Sequence, residues 1–266
     1  MRSILALLRA SWISATSYRV ATMLSFVSLL ASVIPVFFVT KAIGPIAQES
    51  IRLESGDYFG FVVIGIAATY ILMAACSVLP SVLSGSIGSG TFESFLVTRT
   101  PLPVLLAGLA AYPLVQAVLR ASLVVAGAVV LGVRIDTTAL PAVAVILVLL
   151  IGAYASIGLV AAALVLVFRT SGPLITAVVA GSSLLGGVYY STTAIPGWLQ
   201  SISGFVPLTY ALRATRRLLL AGAPLEVVAT DVGTLALIAA VGLTLGSVIF
   251  AAALRHSRRA GTLSQH

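Results

Sequence analysis

The chain has 266 residues, 60% of them from the set Ala, Val, Ile, Leu, Met, Phe, Trp, Tyr and Cys and only 8% charged. Ordinary globular domains carry about 25% charged residues, so this composition cannot cover a water-facing surface and the natural solvent of most of the chain is lipid. The net charge is +8, but the basic residues gather mainly at the ends of apolar stretches, where cytoplasmic-side anchoring is a more economical reading than a nucleic-acid surface. The lone Cys76 excludes a disulfide framework or a Cys-rich metal site.

Residues 1–18 place Ile4, Leu7, Leu8, Trp12 and Ile13 near helical spacing, flanked by Arg2 and Arg9. This pattern predicts an amphipathic helix lying in the membrane interface, the other reading being an extension of the first span. No small-x-small cleavage pattern closes the apolar run, so it is not a signal peptide. A bilayer core about 30 Å thick needs roughly 20 helical residues. Charge-free runs of that order are 20–40, 58–83, 139–168 and 232–254, and a fifth, 102–133, is interrupted only by Arg120. Residues 170–212 are also free of charge. The first half, to about Tyr190, reads as a span, while the second half, rich in hydroxyls and holding Pro196 and Pro207, reads as a re-entrant or interfacial helical hairpin within 191–227.

These runs predict an all-α polytopic membrane protein of six transmembrane helices. Basic tails at both ends (Arg2, Arg9 and Arg19; Arg255, Arg258 and Arg259, in a tail of 255–266) place both termini in the cytoplasm. Arg99 and Arg169 join them there, against Lys41, Arg52, Arg134, Arg213, Arg216 and Arg217 outside. Gly242 and Gly246 in the last span permit close helix approach, more simply as ordinary packing than as a dimer seam.

Intrinsic catalysis has little to work with. The single lysine, Lys41, follows Thr40 and belongs to no Gly-Lys-Ser/Thr phosphate loop. His256 and His266 lie in the basic tail, so the serines of Gly88-Ser89-Gly90 and Gly181-Ser182-Ser183 have no base and read as packing or loop residues. All seven acids fall in predicted loops or at span ends, which leaves no buried carboxylate for a proton relay.

Three features could carry function. In the 84–101 loop, Gly90 can cap a short helix with Glu93 reaching back from the third position. Phe92, Phe95 and Leu96 then share a face before Pro101 ends the helix; that face fits either a partner's groove or the lipid surface. In the hairpin, Pro196 and Pro207 suit helix starts, Trp198 and Tyr210 are interface anchors, and Arg213, Arg216 and Arg217 share a face. The simpler reading of that face is solvated or at headgroup level; the other is contact with lipid phosphates or an anionic substrate. Arg120, about 27 Å along its span, either snorkels to the outer interface or lines a path between protomers.

The stretch Gly90, Thr91, Phe92, Glu93, Ser94, Phe95, Leu96, Val97, Thr98, Arg99, Thr100, Pro101 resembles the coupling-helix region of type-2 ATP-binding-cassette permeases. Residues 195–200 (Ile-Pro-Gly-Trp-Leu-Gln) and 207–213 (Pro-Leu-Thr-Tyr-Ala-Leu-Arg) resemble the extracellular re-entrant hairpin of the same family. Phe92 stands where the family usually has Leu, and Val206 where it usually has Asn. The resemblance implies a half-transporter in the bacterial cytoplasmic membrane. A second permease protomer, most simply an identical one, and separate cassette ATPase subunits that bind ATP and Mg would complete it. It implies export of a hydrophobic or amphipathic drug, lipid or glycoconjugate by alternating access, driven through the helix around Phe92–Val97. No metal, cofactor or nucleic acid is expected in this chain. The competing reading is a non-transporting membrane anchor or assembly subunit that recruits a soluble partner through the same loop.

Overall fold

A computed structural model describes the backbone of residues 19–51, 56–90 and 102–259, and every element in it is helical. The predicted interfacial helix at 1–18, the stretch from Thr91 to Pro101 and residues 260–266 lie outside the described residues. The long helices are α1 (Arg19–Ile51), α2 (Tyr58–Gly88), α3 (Leu102–Val130), α4 (Leu140–Phe168) and α8 (Leu225–Arg259). Between the last two come α5 (Gly172–Leu185), the short α6 (Gly197–Ser203) and α7 (Pro207–Leu219).

Local chemistry sets the ends. Asp57 caps α2, its carboxylate accepting from the amides of Phe59 and Gly60 at 3.2 and 3.1 Å. The same helix stops where Gly90 takes a φ of +69° and its amide donates to the Ile87 carbonyl. Gly90 thus serves the end of α2. The Ser89 hydroxyl is spent there too, on the carbonyls of Gly85 and Ser86. Prolines open α4, α5 and α7, where a missing amide hydrogen costs nothing.

Among the described residues four helices are long and apolar enough to cross a membrane: Tyr58–Gly88, Leu105–Val130, Thr137–Phe168 and Leu225–Ser257. Shorter apolar stretches, Ser28–Gly44 within α1 and Gly172–Leu185, stand where the first and fifth spans are predicted. The fifth differs from expectation. Its helix stops at Leu185, not near Tyr190, and 14 residues reach only about 21 Å. Gly187, at φ +75°, turns the chain away, and the Tyr190 hydroxyl donates back to the Leu184 carbonyl. The last helix also differs, beginning at Leu225 and so enclosing Asp231.

The helices α1 to α4 run antiparallel in turn, whereas α8 runs parallel to α4, Gly152 lying against Leu243 and the Ser257 hydroxyl reaching Leu166. At one end of the bundle Gly60 lies against Val133 and Leu220, and the Asp136 amide donates to the Leu219 carbonyl. At the other end Leu83, Leu106, Leu166 and Phe250 pack together, and the Ser257 hydroxyl donates to the Leu166 carbonyl. α4 is central, in contact with α2, α7 and α8. Large apolar side chains stay exposed on the bundle's flanks: Leu237, Val241, Leu245, Val248 and Ile249 on α8, Ile34 and Phe38 on α1, Val145 and Val148 on α4. In water such a surface would aggregate; in lipid it is the solvated one.

Helices in lipid gain little from apolar burial against one another, so close backbone approach matters more. A Cβ on Gly158 of α4 would sit 2.7 Å from the Ala75 carbonyl oxygen of α2. One on Gly246 of α8 would sit 2.7 Å from the Ser156 carbonyl oxygen of α4, and one on Gly242 as close to the Ser156 Oγ. The Gly242/Gly246 pair therefore packs within the chain. Gly233, on the same helix, faces open space. Gly158→Ala and Gly246→Ala should each lower stability by about 1–3 kcal/mol through overpacking, whereas Gly233→Ala should raise it by up to ~1 kcal/mol through helix propensity. Thermal unfolding of the purified protein in one detergent checks the opposite signs.

Candidate functional site

Among the described helices the most amphipathic is α7, and the bundle closes around it. Leu208, Leu212, Thr215 and Leu219 recur at helical spacing and are buried against α2 and α4. Arg216 falls on this apolar stripe, four residues after Leu212, and is only 1% exposed. Its guanidinium satisfies three backbone carbonyls. Nε and Nη2 donate to the Phe61 carbonyl at 3.2 and 3.0 Å, Nη1 to Gly187 at 2.9 Å and Nη2 to Val188 at 3.0 Å. The plane also lies 3.3 Å from the centroid of the buried Phe61 ring. Gly65 leaves room for this contact, since a Cβ there would press on the Val188 carbonyl and sit 3.0 Å from Nη2.

The burial of Arg216 corrects the expectation of a solvated or headgroup-level arginine face. Arg213 and Arg217, one turn apart, are partly exposed and point instead to Asp231 of α8, at 3.3 and 3.6 Å. Asp231 is 6% exposed, which corrects the expectation that no carboxylate is buried. It serves as a paired anchor: a buried charge is tolerable when opposite charges surround it. Tyr210 ends the polar edge, its hydroxyl donating to the Gly204 carbonyl at 2.8 Å and its ring lying 5.9 Å from the Arg213 guanidinium.

The remaining hairpin residues are placed as follows. Pro196 caps α6 and Pro207 opens α7, as their sequence positions predict. Trp198 is exposed, as are Phe205 and Tyr189 nearby in the chain. The Ser203 hydroxyl donates to the Leu185 carbonyl, tying the turn between α6 and α7 to the end of α5. Of the loop candidates only Gly90 is described; Thr91, Phe92, Glu93, Phe95, Leu96, Thr98 and Pro101 lie outside.

One feature has no counterpart in the sequence reading. A cavity of about 720 Å³ opens between α2, α3, α4 and α7. Its walls are apolar, and only Ser122 and Thr215 bring a hydroxyl. Apolar walls and core packing look alike in a sequence, so no local signal marks it. Arg120 of α3 is half-buried and does not line this cavity, although its neighbours Ala121 and Ser122 do. A second, more polar cavity of about 430 Å³ lies beside Lys41, Asp57 and Tyr58.

Removing the Arg216 side chain would strand carbonyls that no water can reach. Arg216→Met should cost about 3 kcal/mol, and Arg216→Lys should recover only a part, because an ammonium lacks the planar fork. Asp231→Asn should cost less, since both of its arginines keep partial solvent access. Unfolding midpoints and the monodisperse fraction of the three variants check that order.

Chemically the arrangement can hold helices and enclose an apolar molecule; among the described residues it presents no nucleophile with a base beside it. A family model described as ABC-2 type transporter matches residues 2–220, a stretch reaching from the N-terminal tail through α7. No curated protein sequence matches the chain. With its matched stretch covering most of the molecule and its long apolar helices, the chain is a multi-pass membrane protein that belongs to the ABC-2 type transporter family, a permease component and not a catalytic ATPase.

Proposed function

We propose that this chain is the permease subunit of an ATP-driven exporter, with six spans and both termini in the cytoplasm. Two protomers would pair and move a hydrophobic or amphipathic compound outward by alternating access. The observation that carries the reading is the family match over residues 2–220, which takes in both the 84–101 loop and the α6–α7 segment. ABC-2 permeases normally work with a cassette ATPase, and ATP and Mg would bind there. In this reading the chain itself holds no nucleotide, since its one lysine belongs to no Gly-Lys-Ser/Thr phosphate loop. That residue, Lys41, lies in α1 with Nζ 5.1 Å from the Phe37 ring centroid.

The loop from Gly90 to Pro101 joins α2 to α3, so a push on it bears on both helices at once. Phe92, Phe95 and Leu96 would dock in the ATPase and Glu93 would support the helix that carries them. Docked aromatic anchors are commonly worth ~2 kcal/mol or more. Phe95→Asp should therefore weaken co-purification of the cassette ATPase by roughly 30-fold. Both Phe95→Asp and Glu93→Arg should abolish permease-dependent ATPase stimulation and transport while leaving membrane insertion intact. Unchanged stimulation in both variants would sink the proposal; ATPase binding without any change in turnover would favour the anchor reading.

Topology has its own test. In a Cys76→Ala background, a cysteine at the exposed Ala221 should react with an impermeant reagent only from outside, and one at Arg255 only from inside. Labelling of position 221 from the cytoplasm alone would reject the six-span arrangement.

A further inference from the structure

The 720 Å³ cavity is of the size that holds small ligands, which fill spaces of roughly 300–1,000 Å³. Its walls say which kind. Ala67 and Ala68 of α2, Ala121 and Ala126 of α3, Ala144 of α4 and Ala211 of α7 line it, so it is space left by small side chains. Among the described residues no aromatic ring and no charged side chain faces it. The Ser122 hydroxyl is committed to the Val118 carbonyl at 2.9 Å, and Thr215 alone offers a hydroxyl without a bond to any described residue. Water needs two to four polar partners, so this space favours hydrocarbon. An empty apolar cavity forgoes contacts on every wall.

The way in is lateral. Val129, Val130 and Leu140 line the cavity and are exposed, Val130 to 86%, so it opens on the flank that meets the bilayer, near the connection from α3 to α4. On that connection Ile135 lines the cavity, and the preceding residue, Arg134, is exposed. Arg134 makes no hydrogen bond or ion pair with any described residue. Asp136, the nearest acid in the chain, is already engaged: the Thr138 amide and hydroxyl donate to it at 2.9 and 2.6 Å, holding its carboxyl below the ordinary range. An arginine in the connection that borders a hydrocarbon slot suits a phosphate joined to an alkyl chain.

We propose that this cavity is a seat for one acyl chain of a bilayer phospholipid, which enters laterally while Arg134 takes its phosphate. The seat lies within a single chain and depends neither on what the permease moves nor on whether it moves anything.

The test uses the full-length protein in detergent, stripped of lipid and titrated with palmitoyl-oleoyl phosphatidylglycerol, with bound lipid counted by native mass spectrometry. Wild type should hold one phospholipid per chain. Ala126→Phe/Ala144→Phe, which fills the mouth from two exposed positions, should hold none at the same lipid concentration. Ser122→Phe, filling it from α3 alone, repeats the test should the double variant fold poorly. Arg134→Glu should lower occupancy about 30-fold, the loss expected for a swing of two charges at headgroup level.

Equal occupancy in wild type and in well-folded mouth-filled variants would overturn the seat. Oleyl alcohol binding as tightly as the phospholipid, with no response to Arg134→Glu, would overturn the phospholipid assignment. Lipid-free wild-type dimers that fall to monomers when the mouth is filled would give the cavity to a second copy of the chain and overturn it likewise.

Discussion

A backbone carbonyl in lipid has no water to turn to, so every break in a membrane helix must be answered by a donor from within the protein. The break after Leu185 is such a place. Where α5 stops, the carbonyls of Gly187 and Val188 leave the helical ladder, and the guanidinium of Arg216 answers both. The same group reaches the Phe61 carbonyl in the first turn of α2. One side chain thus closes the end of α5, fixes the start of α2 and seats α7 between them. Only arginine offers enough donors in one plane to do so. Its cation is compensated by several carbonyl dipoles and the face of Phe61, which makes burial tolerable in a helix whose other charges look toward Asp231.

The long helices were legible in the sequence because a span is a matter of length and polarity, and the charge-free runs of the second, third, fourth and last spans each lie largely within a long apolar helix. The two prolines of the hairpin were legible for an equally local reason, the fixed φ and missing amide of a helix start. The role of Arg216 was not. Three arginines at i, i+3 and i+4 have the same spacing whether they meet headgroups or a core. A finer signal was present: Arg216 falls on the Leu208, Leu212, Leu219 stripe, whereas Arg213 and Arg217 fall beside Tyr210 on the polar edge. The partner acid, Asp231, was hidden by the assumption that the last helix begins where charge ends. The cavity was invisible in principle, since alanines that line a void and alanines that pack helices are the same letters.

The seams of the bundle differ in kind. Between α2 and α4, and between α4 and α8, glycines bring backbone against backbone: Gly158 on Ala75 and Gly246 on Ser156. Such contacts have no rotamers through which to slide. α7 is tied to this group on both sides, by Arg216 to α2 and by Arg213 and Arg217 to Asp231 of α8. α1 and α3 meet it differently, through larger side chains such as Leu29, Val33, Phe59 and Val124, and most of one face of α3 borders the cavity.

That division of stiffness bears on the proposed coupling. The loop from Gly90 to Pro101 leaves α2, which is locked to α4, and enters α3, which faces open space along the cavity. In that proposal a force applied there would meet unequal resistance on its two sides: α2 would carry α4, α7 and α8 with it, whereas α3 would shift across the cavity by repacking aliphatic side chains and whatever hydrocarbon fills the gap. Packed interfaces switch between discrete arrangements more readily than they stretch, and a space filled by a flexible chain lets one helix change partners without exposing a void. In the proposed permease, the 91–101 segment would therefore act on the boundary between a rigid unit and a yielding helix, which is where a small displacement at the membrane surface can become a change in the shape of the bundle.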